Sequence, residues 1–201
     1  MPNPPSLPSG EATSVPAGLD PDPDPELPRL PQRLSVEVVD DFDGWGVITG
    51  LEPLIQAAAA ALQAEVDIGT PHATVALMLT SDAEVRRLNA RWRGIDTATN
   101  VLSFPAPEAP GDLAVVECLG DVALACETVL AEATDQGTTP AHHLQHLVVH
   151  GLLHLLGYDH ETPDEAVEME TLEVVILARL GIADPYVGLE LVAQQSVGAS
   201  A

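Results

Sequence analysis

The sequence predicts one folded domain that contains both helices and strands, preceded by a long irregular segment. Three observations support this prediction. The chain has 201 residues, which suits one domain with a sizeable core. Four short apolar stretches are typical of strands. Five longer stretches are rich in alanine or are bounded by residues that favour the start or end of a helix, so helices and strands are expected to share one core.

The two ends of the chain have the composition of irregular segments. Residues 1–32 hold ten of the eighteen prolines, with Ser, Gly, Asp and Glu and almost no large apolar side chains. Such a segment buries too little apolar surface to offset its chain entropy, so we predict a disordered, Pro- and Asp-rich tail. The folded domain is predicted at residues 33–187, and residues 188–201 are expected to fray.

The strands are predicted at 34–40, 74–79, 100–105 and 119–125. The second is dense in Val, Ala, Leu and Met, as in a buried strand. A polar loop leads into the third strand, and Pro105 ends it because proline cannot donate to a strand ladder. Asp121 is expected near the beginning of the fourth strand.

The helices are predicted at 51–65, 81–92, 126–135, 140–156 and 162–180. The first contains an alanine run, and alanine has the best helix propensity. The second begins with the capping box of Ser81 and Glu84, and the fifth with that of Thr162 and Glu165. The apolar face of the fifth helix is expected to pack on the fourth.

Three histidines near the end of the fourth helix are spaced as metal ligands. His150 and His154 lie one turn apart on the same helical face. Gly157 can take the left-handed conformation that ends a helix, so the chain can turn back and bring His160 to the same point. Three protein ligands with an open fourth position are typical of a catalytic zinc site, although three imidazoles also suit other transition ions. We predict one bound Zn²⁺.

Other histidines continue the same helical stripe. His142 and His146 precede His150 at four-residue spacing. We expect His146 to hydrogen-bond near the metal site or to the substrate, and His142 and His143 to be exposed.

The residue after the first histidine distinguishes this segment from a protease motif. The spacing is that of the long metalloprotease motif, His-Glu-x-x-His-x-x-Gly-x-x-His, in which the glutamate is the general base. Gly151 occupies that position here. A protease would need another carboxylate as base, such as Glu161, so protease activity is the less favoured interpretation.

The charge is strongly acidic but unevenly distributed. The net charge is -24, and all seven basic residues are arginine. Such a balance argues against nucleic acid as a partner, because phosphate contacts depend on cationic side chains. However, four arginines lie within eight residues of the second helix and predict a local RNA-binding patch: Arg86, Arg87, Arg91 and Arg93. The alternative is that they are solvated partners of Glu84 and Asp82.

Cysteine use and hydropathy indicate a cytoplasmic protein. Cys118 and Cys126 form no Cys-x-x-Cys pair and lack the density of a secreted disulfide scaffold, so reduced thiols are expected. No uninterrupted apolar run approaches membrane-spanning length, and the first residues lack the pattern of a signal peptide. We expect no membrane partner.

Several segments together resemble the bacterial YbeY family. They are LN at 88–89, WRG at 92–94, TNVLSFP at 99–105, LGD at 119–121, HLVVHGLLHLLGYDH at 146–160 and DPY at 184–186. The resemblance implies an α+β fold, with a single small mixed sheet of about four strands packed with helices and a zincin-like metal helix. It also implies a zinc-dependent endoribonuclease that is specific for single strands. Such an enzyme would act on 16S rRNA in the small ribosomal subunit, in 3′-end maturation and in ribosome quality control.

The resemblance also implies roles for individual residues. His150, His154 and His160 match the zinc ligands of the family. Arg93 matches an arginine thought to contact RNA phosphate, so Arg93 and His150 form the expected catalytic set. A guanidinium there would stabilise charge developing on the phosphate.

The sequence leaves the proton acceptor and the nucleophile open. A metal-bound hydroxide, Asp159, Asp121 or His146 could accept the proton. Alternatively, these three side chains could lie next to the metal ligands without taking part in catalysis. The nucleophile could be water or the RNA 2′-hydroxyl. A further alternative is a ribosome-assembly factor without catalysis, in which zinc only stiffens the helix and its return loop.

Overall fold

The computed structural model describes residues 32–107 and 117–187. The segments predicted to be a disordered tail (1–32) and a frayed end (188–201) lie outside the described residues, except for Gln32. Within the described part, no helix is both long enough and apolar enough to cross a lipid bilayer.

In the part of the chain that the structure describes, one mixed sheet of four strands forms the centre of the domain. The strands are β1 (Arg33–Asp40), β2 (His72–Thr80), β3 (Val101–Pro105) and β4 (Glu117–Ala125), in the spatial order β1-β2-β4-β3. β1 and β4 are both parallel to β2, whereas β3 is antiparallel to β4. The predicted α+β fold with one small mixed sheet is therefore confirmed.

Within the described ranges, five α-helices pack around the sheet. They are α1 (Leu51–Gln63), α2 (Asp82–Arg93), α3 (Cys126–Asp135), α4 (Pro140–Leu155) and α5 (Pro163–Arg179). A short 3-10 helix, Asp43–Val47, precedes α1 and carries the buried Trp45. α4 packs against α1, α3, α5 and strands β3 and β4, whereas α2 packs on β3 and β4.

The main core lies between the sheet and helices α1, α4 and α5. It includes Val75 and Leu77 of β2, Leu62 of α1, Leu152 of α4 and Ile176 of α5. A smaller cluster lies beneath α2 and joins Val85 to Leu102, Ala123 and Ala125. Successive strand residues point to opposite faces, so the two clusters occupy opposite sides of the sheet.

Local signals in the sequence account for most helix boundaries. The Ser81 hydroxyl accepts from the Glu84 amide at 3.4 Å, and Thr162 and Glu165 form the complete capping box of α5. Pro140 occupies the first turn of α4, where its missing N–H costs little. The fourth strand begins at Glu117, two residues before the predicted start, so Asp121 lies in its middle.

The expectation that His143 is exposed is wrong. Its side chain is 3% exposed, and Nε2 lies 2.8 Å from Glu132 Oε2 on α3. α4 is covered by α3 as well as by the sheet, so residues outside its apolar stripe are also buried. Burial lowers the pKa of His143 despite the neighbouring Glu132 carboxylate.

Candidate metal centre

The return loop after α4 brings the third histidine back to the helix end. Gly157 has φ +89°, a conformation that glycine adopts without the steric penalty of a side chain. The amide of Tyr158 donates to the Leu153 carbonyl at 3.1 Å and closes the helix. The chain then reverses, and the His160 ring lies 5.0 Å from the His154 ring and 5.5 Å from the His150 ring, centre to centre.

The predicted ligands converge on one point. One ring nitrogen from each of His150, His154 and His160 lies within 4.8 Å of the others, and this group could hold a metal ion. The Nε2 atoms of His150 and His154 are 3.0 Å apart. His150 and His154 are half-buried on α4, whereas His160 is exposed on the loop.

The hydrogen bonds behind two of these rings orient them toward a metal. His150 Nδ1 lies 2.7 Å from Glu173 Oε1, and His154 Nδ1 lies 3.0 Å from the Tyr158 carbonyl. A carboxylate and a carbonyl can only accept, so both rings donate through Nδ1–H and present Nε2 lone pairs to each other. Two lone pairs at 3.0 Å repel, and a cation bound between them would remove this repulsion. The residues therefore fit a metal such as zinc. Its histidine ligands usually donate their second ring N–H to a carboxylate or a backbone carbonyl, as both rings do here.

Burial further favours the ligating form of His154. Desolvation lowers its pKa, and the nearby His150 and His160 rings lower it further. The imidazole is therefore more readily neutral, the form that binds metals.

Glu173 on α5 is a buried residue of the candidate site that the sequence analysis missed. Its side chain is completely buried and accepts hydrogen bonds from His150 and Tyr186, and His146 Nε2 lies 3.4 Å away. Burial alone would raise the pKa of Glu173, but hydrogen bonds from His146 and His150 outweigh it and lower the pKa to about 2.

A sequence signal for Glu173 existed. The residue lies four positions after Met169 and three before Ile176, on the stripe of α5 that faces the core. A carboxylate on a buried stripe requires hydrogen-bond donors. The sequence analysis expected this face of α5 to pack on α4, whose histidines can supply such donors.

A cleft of about 590 Å³ opens in front of the three histidines. Arg93, from the last turn of α2, lines this cleft on β3's side, and its Nη2 donates to the Ser103 carbonyl at 3.2 Å. The structure therefore brings the predicted phosphate-binding arginine and the predicted metal ligands to one cavity. The carboxylates of Asp159 and Glu161 also line it.

The other arginines of α2 are placed differently. Arg86 forms an ion pair with Asp96 at 2.7 Å, and Arg87 Nε donates to Glu84 at 2.8 Å. The guanidinium of Arg91 lies 5.0 Å from the centre of the Trp92 ring. Of the four arginines, only Arg93 lines the cleft.

The three remaining candidates occupy three different environments. Asp159 lies in the cleft, where Oδ1 accepts from the His160 amide at 2.8 Å. His146 is held near Glu173 and in edge contact with the Tyr186 ring. Val122 faces α4, so its neighbour Asp121 lies on the opposite face of the sheet, and the structure does not bring Asp121 to the histidines.

Gly151 marks the closest approach of α4 to the sheet. A Cβ atom at this position would lie 3.0 Å from Val122 Cγ1 and 3.3 Å from Ser103 Oγ, and the Ser103 hydroxyl donates to the Gly151 carbonyl at 3.1 Å. Any side chain at this position, including the glutamate of a protease motif, would therefore require Val122 and Ser103 to shift. The close packing favours glycine at the position where a protease would carry its general base.

The chain is similar to known proteins over most of its length. A family model described as "Endoribonuclease YbeY" matches residues 47–181. A protein of that name from Nitrobacter hamburgensis is 50% identical over 169 residues, which cover 83% of this chain and 87% of the relative. Another from Rhodopseudomonas palustris is 49% identical over 177 residues, covering 87% and 93%. The solution structure of TM1509 from Thermotoga maritima matches with a TM-score of 0.47 and 24% identity, over 72% of this chain and 91% of that one.

Proposed function

This chain belongs to the YbeY endoribonuclease family, and from that membership we propose that it is a zinc-dependent enzyme that cleaves single-stranded RNA. We extend the proposal to 16S rRNA, with roles in 3′-end maturation and ribosome quality control. The small ribosomal subunit is then the partner, and the cytoplasm the location. Zn²⁺ is the proposed cofactor, one ion held by His150, His154 and His160.

One observation carries the proposal: a single cleft contains both the three histidines and Arg93. A planar guanidinium suits the oxygens of a phosphodiester, with which it can form two parallel hydrogen bonds. A cavity that pairs a metal site with such a group is suited to phosphate chemistry. Asp159 and Glu161 also line the cleft, whereas Glu173 contacts His150 through Nδ1.

The roles of the residues follow from their contacts. Bound Zn²⁺ would supply Lewis acidity at the cleft. Glu173 fixes the ring of His150, and the Tyr158 carbonyl fixes that of His154, so both Nε2 atoms face the same point. Arg93, held by the Ser103 carbonyl, would bind the phosphate and stabilise negative charge as the bond breaks.

The geometry also favours one proton acceptor among the side chains considered. Asp159 lines the cleft, whereas Asp121 lies on the other face of the sheet and His146 is engaged near Glu173. We therefore assign the proton acceptor to Asp159. Its Oδ1 also accepts from the His160 amide, which holds the carboxyl group at the cleft rim.

The proposal is tested by cleavage of end-labelled single-stranded RNA. Zinc-loaded wild-type protein is compared with His154→Ala, purified identically to reveal contaminating ribonuclease. We expect cleavage by the wild type alone, abolished by a chelator. Arg93→Ala should reduce the rate by roughly 10²- to 10³-fold, the usual cost of one donor to a developing charge. Arg179→Ala removes an exposed arginine from α5 and serves as the control.

Three outcomes would contradict the proposal. Equal cleavage by wild type and His154→Ala would show that a contaminating ribonuclease cuts the RNA. Near-normal cleavage by Arg93→Ala would show that Arg93 does not stabilise charge on the phosphate. Absence of cleavage, with co-sedimentation with small ribosomal subunits that persists in His154→Ala, would favour the assembly factor. In cells, unprocessed 16S rRNA 3′ ends should accumulate when only the His154→Ala protein is present.

A further inference from the structure

Trp92 is an exposed aromatic residue beside the catalytic cleft. The protein has two tryptophans, and they differ sharply: Trp45 is 0% exposed, whereas Trp92 is 62% exposed. Tryptophan has a large apolar surface, and leaving most of it in water forfeits the free energy that burial would provide. Trp92 immediately precedes Arg93 at the end of α2.

The ring of Trp92 stands at the edge of an apolar groove. The Phe104 ring contacts it edge to face, with centres 6.4 Å apart, and the Arg91 guanidinium lies 5.0 Å from its centre. The groove has a volume of about 970 Å³ and runs over the sheet face opposite α4. Its apolar lining includes Met78 and Leu88.

The groove and the metal cleft are adjacent and share part of their walls. Arg93, Ser103 and Pro105 line both cavities. A strand with a phosphate at Arg93 can therefore extend from the histidines into the groove. Arg91 and Arg93 flank Trp92 in sequence, and in the described part of the chain no carboxylate forms an ion pair with either. Both cations are thus available to a polyanion.

We propose that Trp92 is the stacking platform for an unpaired nucleobase of the RNA whose phosphate is held by Arg93. This inference rests on the proposed function and adds a base-binding subsite to it. Aromatic side chains bind single strands by stacking on bases, and adjacent arginines contact the backbone. A base within a duplex has both faces covered by its neighbours, so this subsite selects single strands.

The fluorescence of the protein tests the subsite directly. Trp45 is buried and donates to the Thr80 carbonyl at 3.1 Å, so a change in tryptophan emission on adding RNA reports Trp92. Stopped-flow mixing of the zinc-loaded protein with a single-stranded oligonucleotide should show quenching before cleavage. A duplex of the same sequence should quench much less. Trp92→Phe should abolish the quenching while retaining most of the affinity.

Affinity measurements provide the decisive comparison. Trp92→Ala should bind the single strand roughly 10- to 100-fold more weakly, the usual effect of losing one stacked base. Its zinc affinity should be unchanged, which confirms that the protein is folded. Val167→Ala removes a similarly exposed apolar side chain from α5 and should bind RNA like the wild type. An oligonucleotide with one abasic site at the matching position should weaken the wild type but not Trp92→Ala.

The possible results separate this inference from the function on which it rests. If the wild type cleaves RNA and Trp92→Ala binds it equally well, the subsite is refuted and the nuclease stands. The groove would then belong to another occupant, such as an apolar segment of a protein. If the wild type neither binds nor cleaves single-stranded RNA, both proposals fail.

Discussion

At the scale of single residues, Glu173 shows how a buried charge is stabilised at this site. An isolated buried carboxylate would be neutralised by protonation, because its charged form is costly without water. Glu173 instead accepts from the imidazole of His150 and the hydroxyl of Tyr186, with the His146 ring also close. Burial and the Glu173 carboxylate raise the pKa of Tyr186, so its hydroxyl stays protonated and donates. The carboxylate thereby links α5 and the segment after it to the metal ligands.

We predict that Glu173→Gln lowers zinc affinity by roughly 10- to 100-fold, the usual effect of removing an outer partner of a ligating histidine. The glutamine amide can donate to Nδ1 of His150, which would move the ring proton to Nε2 and block the metal position. Competition with a chromophoric chelator measures the affinity.

Two further variants serve as controls for the zinc affinity of Glu173→Gln. Glu170→Gln, an exposed residue of the same helix, should bind zinc as the wild type does. Tyr186→Phe removes one donor to Glu173 and should give an intermediate loss. Unchanged affinity in Glu173→Gln would show that His150 is oriented by the helix alone.

At the scale of elements, the ion pairs of α2 divide its arginines into two groups. Arg86 and Arg87 already neutralise Asp96 and Glu84. To contact phosphate, they would have to leave these partners. Arg91 and Arg93 have no such competition among the described residues.

We predict that Arg91 and Arg93 contribute more than Arg86 and Arg87 to the salt dependence of RNA affinity. Arg91→Ala and Arg93→Ala should each reduce the slope of log K against log salt by about 0.7, the value for one phosphate contact of a single strand. Arg86→Ala and Arg87→Ala should reduce it less. Filter binding over a series of salt concentrations provides the slopes. Equal reductions for all four would mean that the ion pairs open on binding.

The contact between α4 and the sheet leads to a second prediction at this scale. Alanine is better than glycine in a helix by about 1 kcal/mol, so Gly151→Ala would normally be stabilising. Here the new methyl group would lie 3.0 Å from Val122 Cγ1, and overpacking typically costs about 1–3 kcal/mol. We expect a net loss of about 1 kcal/mol in the free energy of unfolding, measured by urea titration of metal-free protein.

A second substitution separates crowding from other causes. In a Val122→Ala background the methyl group has room, so Gly151→Ala should cost much less there. A stabilising effect of Gly151→Ala in the wild-type background would contradict the prediction.

The elements and the convergence of the three histidines could be predicted because their signals are local. Ser81, Thr162 and Gly157 set helix ends through contacts a few residues away, and the spacing of His150 and His154 follows from the helix itself. The burial of His143, the position of Asp121 and the role of Glu173 depend on which elements pack together. No pattern along α4 reveals that α3 will cover His143, and strand alternation alone does not say which face of β4 meets the histidines.

At the scale of the whole molecule, the chain has a net charge of -24 but carries four arginines within eight residues of α2. The acidic body repels polyanions at long range, and salt screens this repulsion over about 10 Å at 0.1 M. Binding must therefore depend on contacts made at short range, at Arg93 and its neighbours. This arrangement favours release of RNA that does not fit the cleft.

Metal binding should stabilise the entire domain, because its ligands come from α4 and the return loop, and Glu173 adds α5. A ligand at 100 times its Kd stabilises the folded state by about 2.7 kcal/mol. For a domain of this size we expect Tm to rise by roughly 5–10 °C. Thermal unfolding with and without Zn²⁺ measures the shift, and His154→Ala should show almost none. An equal shift in that variant would indicate binding elsewhere.

The tight packing at Gly151 also bears on how sequences can diverge. The spacing of histidines in this chain differs from the long peptidase motif at one residue, so a single codon change would appear sufficient to cross from one to the other. The sheet opposes this change, because a Cβ atom at that position would lie 3.0 Å from Val122 Cγ1 and 3.3 Å from Ser103 Oγ, so both neighbours would have to shift. The two motifs therefore differ by one residue in sequence, but the packing of α4 on β3 and β4 makes the exchange costly in free energy.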